Sequence, residues 1–149
     1  MPTQRLIPTL ISHALVGLLS FQQLNANCIN LDTLRVVNRA TLDIAGSFTN
    51  HGLLDIMTGA QNLPANFINH GTVLDSSHIR VTAVQKSRNS FSVTIQGYSG
   101  HSYQLMRTES LEAPWVAEGP PQSGENAPLL FTDTKAFGSK CFYRIAVAP

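Results

Sequence analysis

The sequence is poor in charged residues, and the few it has balance. Only 13% of its 149 residues are charged, with ten Lys and Arg against nine Asp and Glu. A protein that binds nucleic acid or anionic lipid through its charge needs a cluster of basic residues. Because the basic residues here are scattered along the chain, the sequence predicts neither of these partners.

Cysteine is equally scarce, since only Cys28 and Cys141 are present. In an oxidising compartment the two thiols can form a disulfide that ties the two ends of the chain together. The chain-entropy model gives such a long loop up to about 4 to 5 kcal/mol of stabilisation. The alternative is two separate thiols, one near the N-terminus and one in a strand. The sequence leaves both readings open.

The first 26 residues have the order of a secretory signal peptide. Residues 1–5 form a short basic start, residues 6–21 are apolar, and a short polar segment ends at Ala26. This order predicts cleavage after Ala26 and a secreted or cell-surface location. A membrane anchor is disfavoured because the apolar stretch is shorter than the roughly 20 residues that span a bilayer and contains Pro8. We therefore expect no membrane insertion after cleavage.

Three loosely similar segments follow, at residues 36–44, 48–56 and 67–75. Each consists of a short apolar run, a corner of the form Asn-x-Gly or Asn-x-Ala, and a second short apolar run, which predicts two strands joined by a tight corner. Repetition at such short intervals favours a β-solenoid-like stack, in which equivalent side chains form ladders. The predicted ladder consists of Asn38, Asn50 and Asn69.

The corners also allow another interpretation. Gly52 and Gly71 suit positive φ angles, and Asn-His-Gly corners are equally suited to a meander of β-hairpins. Three stacked rungs alone would leave apolar surface and unpaired strand edges at the ends of the stack. We therefore expect residues 27–76 to pack on the segment that follows and to unfold together with it.

Residues 77–149 have the pattern of an antiparallel β-sandwich. Six short apolar or alternating runs are separated by segments rich in Gly, Pro, Ser and Asn, with no convincing helix. The runs span residues 79–84, 90–96, 102–107, 115–118, 129–132 and 141–147. The complete prediction is an all-β protein in which a signal peptide (1–26) precedes a short β-solenoid-like repeat segment (27–76) packed against a small antiparallel β-sandwich (77–149).

Several motifs of the second half occur in an order that is familiar from one group of proteins. They are Tyr103-Gln104-Leu105, Trp115, Phe131-Thr132-Asp133 and Phe142-Tyr143-Arg144. Together with the Asn-x-Gly rungs before them, they resemble the C-terminal β-sandwich module of secreted bacterial proteins. The resemblance implies an extracellular accessory role without catalysis. Within the motifs, Asp133 and Arg144 are expected to form a partly buried ion pair between neighbouring strands.

Histidines and carboxylates of the repeats are candidate metal ligands. Stacked rungs would bring His51 and His70 close together, with His78, Asp55 and Asp75 as further ligands. A metal site needs three or four convergent ligands, and nothing beyond the histidine pair supports one. The favoured interpretation is polar corner residues that face water, with no metal and no cofactor.

Catalytic motifs are weak in this sequence. The segment from Gly97 to His101 approaches a nucleophile elbow, but His101 stands where the second glycine is needed, and the segment joins two predicted strands instead of a strand and a helix. Glycoside cleavage needs two facing carboxylates, whereas the nine acidic residues lie mostly in predicted turns. The sequence therefore predicts that the protein is not an enzyme.

Tyr98 and Trp115 are the candidate binding residues. Aromatic rings offer apolar contact together with a polar handle, and Tyr98 lies in a predicted turn, which favours exposure. Trp115 lies at a strand start, where a place in the sandwich core is the alternative. The predicted function is a structural or adhesive extracellular β module, with a carbohydrate-binding module as the alternative and a fragment of a polysaccharide-active enzyme as a remote one. The expected partner is an extracellular polysaccharide or another surface protein.

Overall fold

The computed structural model describes residues 27–36, 41–135 and 140–149. Strands account for all of its regular structure apart from one short 3-10 turn, Ser76–His78, which confirms the all-β class. The predicted signal peptide and Asn38 lie outside the described residues. Within those residues no helix is long and apolar enough to cross a membrane. The chain divides into two compact units, Met1–Ser77 and His78–Pro149.

The first unit is built from three short parallel sheets, with strand orders β1-β4-β7, β2-β5-β8 and β3-β6. Hairpins would have given antiparallel pairs, whereas here each pass of the chain pairs in parallel with the next one. We call the three passes rung 1 (28–36 and 41–43), rung 2 (48–62) and rung 3 (68–74). The strands are β1 (Cys28–Asn30), β2 (Thr33–Arg35), β3 (Thr41–Asp43), β4 (Phe48–Asn50), β5 (Leu53–Asp55), β6 (Ala60–Asn62), β7 (Ile68–Asn69) and β8 (Thr72–Leu74).

The register corrects the predicted start of the repeat. Cys28 pairs with Phe48 and Asn30 with Asn50, so rung 1 begins at Cys28 and not near residue 36. Residues 41–43, which were predicted to be part of the second apolar run of the first segment, instead form a third strand that pairs with β6. The first rung is hard to recognise because Asp32 stands where the other two rungs have glycine.

Apolar side chains from the rungs fill the interior of the first unit. Phe48 and Leu54 are almost completely buried, and the Phe48 ring stacks on Phe67 with centroids 5.3 Å apart. Asp55 is also fully buried, and its Oδ2 lies 2.8 Å from Nε of Arg35 on the preceding rung. Equivalent positions therefore contact one another from rung to rung. The other buried apolar residues of this core are Val36, Leu42, Ile44 and Ile56.

The corner glycines are needed for a different reason from the predicted one. Neither Gly52 nor Gly71 has a positive φ angle. A Cβ atom at Gly52 would collide with the carbonyl oxygen of Asp32, and one at Gly71 would collide with the carbonyl oxygen of Gly52. Glycine is required at these corners because each rung approaches the backbone of the rung before it.

The second unit contains two three-stranded antiparallel sheets, β13-β10-β9 and β12-β11-β14. All six predicted strands are present. Their inner faces share one core, whose buried members are Val93, Ile95, Tyr103, Leu105 and Phe131. The strands are β9 (Val81–Lys86), β10 (Phe91–Gln96), β11 (Ser102–Thr108), β12 (Val116–Ser123), β13 (Pro128–Asp133) and β14 (Phe142–Ala148).

Strand β12 is longer than predicted, because the Gly119-Pro120-Pro121 segment belongs to it and does not separate two strands. This strand lies at a sheet edge, where proline is tolerated. Its pairing with β11 shifts register between Tyr103 and Leu105, and Gly119 has a φ of 70°. The register shift and the positive φ angle form a local irregularity of this edge strand. It allows the Gly-Pro-Pro segment to remain part of the strand.

Phe48→Ala should lower the free energy of unfolding by about 3 to 5 kcal/mol, because it empties a fully buried ring site and removes the stack on Phe67. Phe67→Ala should cost less, since Phe67 is only half-buried. Leu31→Ala is the control, because Leu31 is 59% exposed. Chemical denaturation measures all three. Equal losses for Phe48→Ala and Leu31→Ala would contradict the described core.

Candidate functional site

A ladder of asparagine side chains runs through the three rungs. Nδ2 of Asn30 donates to Oδ1 of Asn50 at 2.6 Å, and Nδ2 of Asn50 donates to Oδ1 of Asn69 at 2.7 Å. Asn50 is fully buried, whereas Asn69 is exposed. The predicted ladder was right for Asn50 and Asn69, which Asn30 joins in the first rung, while the predicted Asn38 lies outside the described residues.

The same amides bind the backbone at the corners. Nδ2 of Asn30 donates to the Leu53 carbonyl of the next rung at 3.0 Å. Nδ2 of Asn50 donates to the Gly52 carbonyl on its own rung and to the Thr72 carbonyl on the next, both at 3.2 Å. Only an amide side chain combines the acceptor oxygen and the donor nitrogen that this arrangement uses. Asn50 therefore holds its own corner and joins it to the next rung, whereas Asn30 binds the next rung and Asn69 binds its own corner.

His51 and His70 stack beside the ladder, as expected for corners on neighbouring rungs. Their ring centroids are 5.0 Å apart, and both residues are exposed. His78 belongs to the second unit and contacts the edge of Tyr98. Among the residues that the structure describes, no three His, Cys, Asp or Glu side chains form a group able to hold a metal ion.

The ladder ends at an open edge on rung 3. Strands β7 and β8 each pair with only one strand in the described sheets, and Ile68 is 50% exposed, with Asn69, His70 and Thr72 exposed beside it. Natural edge strands are usually protected by Lys, Pro or a bulge. Residues 67–74 contain no charged residue and no proline. This edge, which we call the open ladder end, therefore lacks the usual protection against pairing with another chain.

Strand β9 of the second unit is another exposed edge strand, but it carries features that protect it. Val81 and Val84 are 57% and 58% exposed, so this strand also presents apolar surface. Arg80 directly precedes this strand, and Lys86 is its last residue. Its register with β10 shifts between Thr94 and Ile95. Charges and a bulge are the features that discourage strand addition, so β9 is the better protected edge of the two.

The two predicted binding aromatics do not converge. Tyr98 lies in the connection that precedes Ser102, at the start of β11. Trp115 directly precedes Val116, which pairs with Arg107 near the other end of β11. The five residue steps from Ser102 to Arg107 correspond to about 17 Å at roughly 3.3 Å per residue. The two residues therefore lie toward opposite ends of β11.

Trp115 does not lie in the sandwich core. It is half-buried, and the guanidinium of Arg144 lies 4.5 Å from its ring centroid, in cation–π contact. Arg144 pairs with Met106, which is the neighbour of buried Leu105 and hence on the opposite face of the sheet. The predicted ion pair between Asp133 and Arg144 is wrong, because Arg144 is exposed and stacks on tryptophan.

The actual partners of Asp133 form a polar cluster that the sequence analysis missed. The Tyr143 hydroxyl donates to Oδ2 of Asp133 at 2.9 Å, and Nε of Arg107 lies 3.6 Å from the same oxygen. Arg107 Nε also donates to Sγ of Cys141 at 3.4 Å. The register of β11 and β14 pairs Arg107 with Tyr143. Apolar residues alternate in both strands, and aligning the two patterns could have predicted this pair.

Burial and these hydrogen bonds shift the pKa values of two members of the cluster, Arg107 and Tyr143. The hydrogen bond to Cys141 is the main cause that raises the pKa of Arg107. Partial burial, followed by the hydrogen bond to Asp133, raises the pKa of Tyr143. The side chain of Asp133 is fully buried, and a buried carboxylate requires such donors and positive charge. The groups of the cluster bind one another, which is the arrangement of a stabilising network.

Cys28 and Cys141 are both thiols in the structure and lie in different units. Burial raises the pKa of Cys28, which favours its protonated and less nucleophilic form. Cys141 lies beside Arg107 in the polar cluster. The disulfide between the two stays a prediction.

Asn50→Asp should destabilise the protein by about 2 to 4 kcal/mol, because a buried carboxylate would face three acceptor oxygens in place of the donor. The same change at the exposed end of the ladder, Asn69→Asp, should cost less than about 1 kcal/mol, since water can solvate the new charge. Urea unfolding at neutral pH measures both variants. If the two losses were equal, the ladder would not be a buried hydrogen-bond network.

Tyr143→Phe should alter the alkaline stability of the protein. Because the pKa of Tyr143 is raised above its ordinary value of 10.0 in the folded state, the unfolded chain releases this proton first, and the free energy of unfolding falls as the pH rises above about 10. The variant should lose about 1 to 3 kcal/mol at pH 7, where Asp133 loses the one side-chain hydroxyl donor that the structure describes for it, and should show a shallower fall above pH 10. Denaturation at several pH values between 7 and 11 measures both effects, and an unchanged alkaline slope would contradict the assignment.

No protein-family model, curated protein or solved structure matches this chain. The resemblance to the C-terminal module of secreted bacterial proteins therefore stays a prediction.

Proposed function

We propose that this chain is a secreted, non-catalytic β module with a structural or adhesive role outside the cell. The single observation that carries the proposal is the open ladder end. There Ile68 is half exposed on a strand that has one paired neighbour among the strands the structure describes. The signal-peptide pattern of residues 1–26 supports the extracellular location.

An open edge suits adhesion for a physical reason. A strand with unpaired N–H and C=O groups is a template on which another strand can form main-chain hydrogen bonds. Exposed side chains then select the partner, as Ile68 and Thr72 would do here. The absence of charge and proline from residues 67–74 leaves this template accessible.

The arrangement of the reactive side chains agrees with a non-catalytic role. The Gly97–His101 segment connects β10 to β11, so it lacks the strand-to-helix geometry of a nucleophile elbow. Nε of Arg107 and the Tyr143 hydroxyl face Asp133, while the terminal nitrogens of Arg107 face Glu109 and Glu118. These groups stabilise a buried carboxylate in the described structure.

A bead-adhesion assay tests the proposed function. The chain is expected in the medium or on the cell surface, with Asn27 as its first residue after cleavage. Beads coated with the secreted chain should attach to the cells that produce it and should withstand flow better than albumin-coated beads. Ile68→Lys should reduce attachment, because a lysine protects an edge strand from pairing.

Leu111→Lys is the matched control, since Leu111 is 66% exposed and lies in the connection between β11 and β12. It introduces the same charge away from the open ladder end and should leave attachment unchanged. Retention of the uncleaved chain inside the cell would overturn the proposed location. Attachment no stronger than that of albumin would overturn the adhesive role.

Carbohydrate binding is the second candidate, and the contact between Trp115 and Arg144 outside the sandwich core favours it. A half-buried indole ring beside the guanidinium of Arg144 offers an apolar face next to a hydrogen-bond donor. A glycan array tests this candidate directly. Saturable binding that Trp115→Ala abolishes and Tyr98→Ala preserves would support a site on the Trp115 face, whereas no glycan binding would exclude this candidate.

A further inference from the structure

We propose that the open ladder end binds one additional rung, an extended segment with the pattern apolar-x-Asn-x-Gly, supplied by another protein. This inference rests on the proposed function, because it names the partner that the adhesive surface would recognise. The pattern is that of Phe48-Thr49-Asn50-His51-Gly52 and Phe67-Ile68-Asn69-His70-Gly71, the two segments that already stack in this way.

The seat for such a segment is defined by the repetition itself. Oδ1 of Asn50 on rung 2 accepts a hydrogen bond from the amide of Asn30, and Oδ1 of Asn69 on rung 3 accepts one from the amide of Asn50. Backbone hydrogen bonds also join the rungs, since His70 N donates to Asn50 O at 2.7 Å and Thr72 N donates to Gly52 O at 2.9 Å. Rung 3 presents the equivalent donors and acceptors at its outer side.

The terminal amide is available to such a partner. Of the ladder amides, Nδ2 of Asn50 binds two acceptors on the next rung. In the described part of the chain, Nδ2 of Asn69 donates only to the Gly71 carbonyl, at 3.2 Å. An amide nitrogen carries two hydrogens, so the side chain of Asn69 can donate to the oxygen of one further asparagine.

The corner of the incoming segment must be glycine. In rungs 2 and 3, a Cβ atom at the corner would collide with the backbone carbonyl of the preceding corner. An incoming segment would meet the Gly71 carbonyl in the same way. A backbone carbonyl cannot move aside as a flexible side chain can, so the open end should select Asn-x-Gly against Asn-x-Ala.

The stack is also directional, which argues against simple polymerisation of this chain. Rung 1 has Asp32 at the corner, so it carries a Cβ atom where the open ladder end requires glycine. If two copies met end to end, Asp32 of one copy would collide with Gly71 of the other. The open end therefore fits a foreign Asn-x-Gly segment better than the first rung of a second copy.

Peptide binding to the full chain tests this inference. The probe is a synthetic peptide with the sequence of residues 65–75, and the readout is the change in the amide NMR resonances of the protein. We expect saturable shifts confined to residues 67–74, with a dissociation constant of about 0.1 to 1 mM, because a short peptide loses conformational entropy on binding. A peptide with Gly71→Ala should bind at least about tenfold more weakly.

A second peptide pair and one protein variant complete the test. A peptide of residues 26–36 should not bind, whereas the same peptide with Asp32→Gly should. Ile68→Lys in the protein should weaken binding of the 65–75 peptide, and its unchanged thermal unfolding would show that the fold is intact. Equal binding of the glycine and alanine peptides, shifts elsewhere in the protein, or no shift at about 5 mM peptide would each overturn the inference.

These outcomes are distinct from those of the bead assay. Bead attachment without peptide binding would leave the adhesive role in place and overturn this partner. Self-association of the chain that Ile68→Lys abolishes, without peptide binding, would assign the open end to a contact between copies and also overturn the inference.

Discussion

The close approach of consecutive rungs at the glycine corners is the constraint on which the first unit depends. At Gly52 and Gly71 the backbone lies so near the preceding rung that no side chain fits. This approach brings the asparagine amides to 2.6 and 2.7 Å from one another. The buried Asn50 amide can therefore satisfy its polar atoms inside the unit, which a buried polar group requires. Glycine allows the approach, and asparagine provides the hydrogen bonds that hold it.

The second unit uses close backbone approach in a similar way. A Cβ atom at Gly124 would collide with the carbonyl oxygen of Tyr98, and Gly124 N donates to the His101 carbonyl at 2.8 Å. Beneath this contact, the hydroxyl of fully buried Tyr103 accepts a hydrogen bond from Tyr98 N at 3.0 Å. A large aromatic residue can lie in this core because its single polar atom reaches the backbone. The loop that carries Tyr98 is thereby fixed to the sandwich.

The fold class and the six later strands could be predicted because alternation of apolar residues and turn composition are local signals. The first rung could not be located correctly, since Asp32 is tolerated at a corner with no described rung before it and so breaks the pattern. The site was predicted only in part. Asn50 and Asn69 were found from their repeated motif, whereas the contact of Arg107 with Asp133 joins two different sheets and depends on how those sheets pack. Tyr98 and Trp115 were proposed together because of their residue type alone, and they lie toward opposite ends of β11.

The end of the ladder follows from one local turn. After Leu74 the chain does not continue to a third strand above β6, because Oδ1 of Asp75 accepts a hydrogen bond from Ser77 N at 2.9 Å. This Asx-turn leads into the short 3-10 segment Ser76–His78. The chain thus leaves the stack while the outer sides of β7 and β8 are still without a neighbouring strand in the described sheets. Because the chain turns away only after Leu74, β7 and β8 keep the register of the preceding rungs to their ends. A surface that recognises another rung needs this regular pattern of hydrogen-bonding groups.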